Sequence, residues 1–133
     1  MKKTESQHLR ELMTTALAAD EQVRAEGRAQ TDEIGDRSYV IVTVSRILWR
    51  DVAAAWAAAR FPVHELLFDS VERVRERYAR GRSHIELTSK KGRNVFEFNR
   101  PDASAAVAIR RRITELGIPY ETVSDFGRGT AQS

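Results

Sequence analysis

A chain of 133 residues without a single cysteine is long enough to form one domain around its own hydrophobic core, and it excludes disulfides, thiolate metal sites and a thiol nucleophile together. Its 22 basic and 19 acidic residues leave a formal charge of only +3, well short of the positive charge that a dedicated nucleic-acid binder concentrates on one face. No stretch approaches the ~18 apolar residues of a membrane span, so the sequence reads as a single soluble, cytoplasmic domain over 1–133.

Leu9, Leu12, Met13, Ala16 and Leu17 share one face of a helix predicted over 4–18, and Thr4 with Gln7 has the spacing of a capping box at its start. From Glu21 the period shortens to two. Val23, Ala25, Gly27, Ala29 and Thr31 alternate with Gln22, Arg24, Glu26, Arg28 and Gln30, the pattern of a half-buried strand. Asp32 to Asp36 reads as a turn. Tyr39 to Val44 is β-branched and aromatic and continues through Arg46 to Ile47, Leu48 and Trp49, which predicts the most buried strand of the protein.

The middle of the chain supports two assignments. The alanine-rich run after Asp51, through Trp56 to Phe61-Pro62-Val63, suits a helix by propensity and an extended strand by its small side chains. Leu67, Val71, Val74 and Tyr78 fall at helical intervals, with Asp69 and Glu72 spaced as a capping box and Gly81 as a stop. Beyond them, Ile85 and Leu87 alternate with His84, Glu86 and Thr88, Lys90-Lys91-Gly92-Arg93 turns, and Val95 to Phe98 returns as a hairpin. A final helix is capped by Asp102 and carries the stripe Ala106, Ile109, Ile113 and Leu116, ending at Gly117-Ile118-Pro119. Tyr120 to Val123 suits a short extended segment, and 125–133 a flexible tail.

The segment 21–116 resembles the bacterial pleckstrin-homology-like (PH-like) domains. The resemblance is carried by Thr43 and Arg46 before an apolar pair, by the apolar-proline step at Phe61-Pro62-Val63-His64-Glu65-Leu66, and by the hairpin with Gly92 at its turn, ending in Phe96 and Phe98 before an Asp-capped helix. It implies a mainly β fold, a split barrel of two antiparallel sheets with an N-terminal helix and a C-terminal capping helix. That fold requires extended backbone at Arg73 to Tyr78, against the local helical spacing. The alternative is an α+β fold in which two central helices pack on a small antiparallel sheet.

Catalysis has little to stand on. His64, Asp69 and Ser70 assemble the residue types of a triad, but a triad is a matter of geometry and sequence proximity does not supply it; solvated loop residues are the reading preferred. No histidine pair has metal-ligand spacing, and no cofactor is expected. The basic clusters are the candidates for binding. On a strand, Arg73, Arg75 and Arg77 project from one face about 6 to 7 Å apart, near the phosphate repeat of a nucleic-acid strand, with Arg80 and Arg82 extending the row; interleaved Glu72 and Glu76 suit a solvated, salt-bridged face as well. Lys90, Lys91 and Arg93 make a positive hairpin tip that could meet phosphate or a lipid headgroup, and charged tips also serve solubility alone. Arg110, Arg111 and Arg112 read as solvated. Trp49 belongs in the core, while Trp56 suits an exposed anchor at an interface. In the wider superfamily, phosphoinositide ligands are held by basic residues between the first two strands; here Thr31 to Arg37 holds three acids against one arginine, which repels such a ligand. The expected function is a non-catalytic binding module for a protein partner or for self-association, with nucleic-acid or anionic-lipid binding as the alternative.

Overall fold

One mixed sheet, of eight strands among the described residues, carries the fold. The structure is a computed structural model and describes residues 4–31, 37–52 and 63–123. In chain order the elements are α1 (Glu5–Thr14), β1 (Ala25–Thr31), β2 (Arg37–Val42), β3 (Arg46–Asp51), β4 (His64–Leu67), β5 (Val71–Ala79), β6 (Arg82–Ser89), β7 (Gly92–Phe98), α2 (Ala103–Leu116) and β8 (Tyr120–Thr122). The strands lie side by side as β4-β3-β2-β1-β7-β6-β5-β8. Neighbours are antiparallel except β5 and β8. The protein is mainly β. Where two antiparallel sheets were expected, the ladder from Ala29–Phe98 to Thr31–Phe96 joins the two meanders into one sheet, which is open, with β4 and β8 as its edges.

Residues 71–79 are a strand, which removes one of the two central helices of the α+β alternative; most of the alanine-rich run lies outside the described residues. The helical spacing there has a local cause. The register shifts between Val71 and Arg73, so a β-bulge at Glu72 lets Val71 and Val74 both reach the core although they are three apart. The long run expected as one strand is two. Thr43 Oγ1 accepts hydrogen bonds from the backbone N–H groups of Ser45 and Arg46, a side-chain turn that folds β3 back on β2 without glycine or proline.

The helices follow their signals closely. Thr4 and Gln7 form the reciprocal capping box of α1, which ends at Thr14 and so is shorter than expected. Asp102 does not cap α2 with its side chain; its Oδ1 instead accepts from the Arg28 backbone N–H at 3.0 Å and ties the start of α2 to β1. Gly27 makes that approach possible, because a Cβ there would lie 3.0 Å from Asp102 Cβ. At the other end Gly117 takes a left-handed φ of 69° and the Ile118 N–H bonds back to Ile113, an αL cap closed by an apolar contact.

Two apolar clusters use the two faces of the sheet. On one, α2 lays Ala105, Ala106, Ile109 and Ile113 against Val40, Val42, Ile47, Trp49, Val74, Ile85, Leu87, Phe96 and Phe98. Leu116 completes the predicted stripe in sequence only, being 38% exposed. On the other, Leu9 and Met13 of α1 cover Tyr39, Ile41 and Leu48. Strands β2 and β3 are therefore covered on both faces, which accounts for their unbroken apolar composition.

Candidate binding site

Among the described residues the sheet stops at β4, and the seam it leaves is a cleft of about 620 Å3 running from β4 to the β6–β7 turn. The backbone directions at this edge can be read from the ladder. The Arg46 carbonyl accepts from Thr43 N–H, and the Ser45 carbonyl from Phe68 N–H. With Ile47 opposite Leu66 and Trp49 opposite His64, the alternation of an antiparallel ladder turns the backbone groups of His64 and Leu66 toward β3 and those of Glu65 and Leu67 away from the sheet. Ser70 Oγ donates to the Leu67 carbonyl at 2.7 Å. The Glu65 N–H and C=O and the Leu67 N–H face the seam.

Trp49 and Leu66 form the apolar part of the cleft wall, and Leu67 adds a side chain 47% exposed. Trp49 is buried as expected, with His64 stacked on it at 5.5 Å between ring centroids and Phe96 edge-on at 5.0 Å. Its indole N–H has no hydrogen-bond partner among the described residues. Across the seam stand Ser89, Lys90, Lys91 and Asn94. Ser89 Oγ accepts from Lys91 N–H at 3.3 Å, and Gly92 takes a φ of 134°, so the turn that presents both lysines is held by its own residues. The β4 bank is charged as well, but Glu65 is bound to Arg46 at 2.6 Å.

The expected basic residues are divided between two places. Lys90 and Lys91 are exposed at the cleft mouth. Arg73, Arg75 and Arg77 do share one side of β5, opposite Thr88, Glu86 and His84 of β6, but they are not a bare cationic stripe. Arg75 is buried and donates to Glu86 Oε1 at 2.7 Å, Arg93 shares the same carboxylate at 3.2 Å, and Arg77 lies 3.3 Å from His84 Nε2. An arginine committed to a buried carboxylate has little left to offer a phosphate. Arg73 remains exposed. Trp56 lies outside the described residues.

His64, Asp69 and Ser70 all line the cleft; the Ser70 hydroxyl donates to the Leu67 carbonyl and His64 stacks on Trp49. Among the described residues no group of three or more acidic or histidine side chains is placed to hold a metal ion.

No protein-family model and no curated protein matches the chain. A likeness of fold exists. The hSac2 domain from human phosphoinositide phosphatase Sac2 superposes with a TM-score of 0.50 at 11% identity, covering 95% of this chain and 92% of that one. At that identity the likeness speaks for the arrangement of the backbone alone.

Sequence reasoning missed one polar cluster. Arg110, expected to be solvated, donates through Nε and Nη2 to Glu76 at 2.8 and 2.7 Å. Glu76 is fully buried and also accepts from Ser83 and Tyr120. Burial pushes this carboxyl's pKa up, and the hydrogen bonds and charge of its partners outweigh that and hold it below the ordinary value. Tyr120 is itself pushed up to about 12, first by burial and then by Glu76. The cluster fastens α2 and β8 to β5. Its only trace in the sequence is a glutamate at an inward-facing position of a strand, visible once 71–79 is known to be extended.

Proposed function

We propose that the protein is a non-catalytic binding module of PH-like organisation that takes an extended protein segment along the free edge of β4. What supports the PH-like part is the order of elements: a four-stranded meander, a three-stranded meander and a C-terminal helix packed over the core. The observation that carries the binding reading is the seam, where backbone groups of Glu65 and Leu67, unpaired among the described residues, stand beside an apolar wall of Trp49 and Leu66. An added strand satisfies those groups through its main chain, and its alternate side chains fill the wall.

The test uses a peptide selected by display against the folded protein. Glu65→Pro removes the outward N–H while leaving β4 as an edge strand, where proline is tolerated; Glu65→Ala removes the side chain and keeps the N–H. Strand addition requires the proline variant to lose affinity and the alanine variant to keep it. Equal affinities for both variants and the parent would refute the reading. Self-association through the same edge is its second form, since a copy of the chain can supply the strand: light scattering at micromolar concentration should then give a mass above 15.1 kDa that falls to the monomer in the proline variant.

A further inference from the structure

The β5–β6 turn sits at the opposite end of β6 from the lysine turn, and it holds a side chain in an unfavourable backbone conformation. Arg80 has a φ of 55° and Gly81 of 76°. Both central residues of this two-residue hairpin therefore have positive φ, the arrangement that asparagine or glycine normally supplies at its first position. Among the described residues Arg80 is the only non-glycine residue with positive φ. Such a conformation is strained for a residue with a Cβ, and a glycine at 80 would avoid it.

What the arginine supplies is charge at a crowded point. The Arg100 guanidinium lies over the turn, with Nη2 3.5 Å from where a Gly81 Cβ would be. Arg82 follows directly, 3.4 Å from Glu97 in an exposed pair, and Arg77 is two strand positions before the turn's first residue at Ala79. Glu97 is also 3.3 Å from His84, so Arg82 shares this carboxylate. Arg80 and Arg100 are exposed and have no carboxylate partner among the described residues. All these cations are arginines, whose planar fork suits phosphate oxygens better than the point charge of lysine does.

Beside the turn is an aromatic ring. Tyr78, paired with Ser83 across the hairpin, is on the α2 side of the sheet, the opposite face from Arg77 and Arg82; it is 57% exposed, with Arg110 over its ring at 5.3 Å. The turn itself, Ala79 to Arg82, holds no apolar side chain larger than alanine, so it lacks the insertion group of a membrane-docking tip.

We propose that this turn is a phosphate-backbone site for single-stranded nucleic acid, with Arg80, Arg82 and Arg100 on the phosphates and Tyr78 offering its ring to a base. Cationic contacts with an adjacent stacking ring are the combination by which single strands are held without sequence preference. This site is separate from the β4 seam and does not depend on it.

The test is fluorescence anisotropy of a labelled mixed-sequence single-stranded oligonucleotide, titrated with the full chain over a range of salt. The parent should bind, and a variant with Arg80→Gly, Arg82→Ala and Arg100→Ala should bind roughly tenfold or more weakly, with a salt slope shallower by about 2. Arg80→Gly relieves the backbone, so lost binding at unchanged or raised unfolding midpoint separates recognition from folding. Tyr78→Ala should weaken binding while leaving the salt slope unchanged, which a purely electrostatic patch does not do. The control pair Lys90→Ala and Lys91→Ala removes charge from the other hairpin and should leave binding unchanged. Three results would overturn the proposal: no binding by the parent at low salt, equal weakening by the lysine pair, or binding to anionic vesicles with none to the oligonucleotide.

Discussion

Arg110 of α2 grips Glu76 of β5 through two hydrogen bonds of 2.8 and 2.7 Å, and Glu76 is wholly removed from solvent. A buried carboxylate is tolerable only while its partners remain. Arg110→Ala should therefore cost about 3 to 5 kcal/mol, because it strands the carboxylate without its counterion. Replacing both residues by leucine should cost less than Arg110→Ala alone. Denaturant titration of the single and double variants checks both statements.

A carboxylate bound by Arg46 predicts acid sensitivity. Glu21 receives Arg46 through Nε at 3.0 Å and Nη2 at 2.8 Å, with Thr43 and Ser45 adding their hydroxyls. Chiefly through Arg46, its carboxyl is held at about 2 against a usual 4.5. Because the folded value is the lower one, the stabilisation is complete above 4.5 and is lost as pH falls from there toward 2. The amount is on the order of 3 kcal/mol. Unfolding midpoints measured between neutral pH and pH 3 should fall steeply in the parent and less steeply in Glu21→Gln.

The helix α2 is predicted to be required for the core. Ile109 and Ile113 are fully buried, and truncating either to alanine should cost about 2 to 5 kcal/mol. Arg111 is exposed on the same helix, and Arg111→Ala should leave the midpoint within about 0.5 kcal/mol of the parent. Equal midpoints for Ile109→Ala and Arg111→Ala would show that the helix does not close the core.

Much of the fold was legible in the sequence because local signals agreed with tertiary demand. The α1 capping box, the alternation from Ala25 to Thr31, the Lys90-Lys91 hairpin and the αL stop at Gly117 all stand where their residues put them. The failures share a cause, which is that packing spoke over pattern. The bulge at Glu72 gave β5 the apolar spacing of a helix. The turn at Thr43 was hidden because Val44, in the middle of an apolar run, is exposed, and its signal was the hydroxyl of Thr43 rather than a glycine. The site was less legible still. Lys90 and Lys91 reach the cleft, but Arg75 and Arg93 are held by Glu86, a partner set by strand register that no linear pattern reveals. The seam itself depends on where the sheet stops closing.

The central claim, that an extended segment adds to β4, is tested most directly by amide hydrogen exchange with the display-selected peptide bound. Strand addition predicts new protection at the Glu65 and Leu67 amides, which face the seam, with little change at Leu66, whose N–H is already turned toward β3. Protection confined to α2 or to the β5–β6 turn, with Glu65 and Leu67 exchanging as in the free protein, would contradict the account.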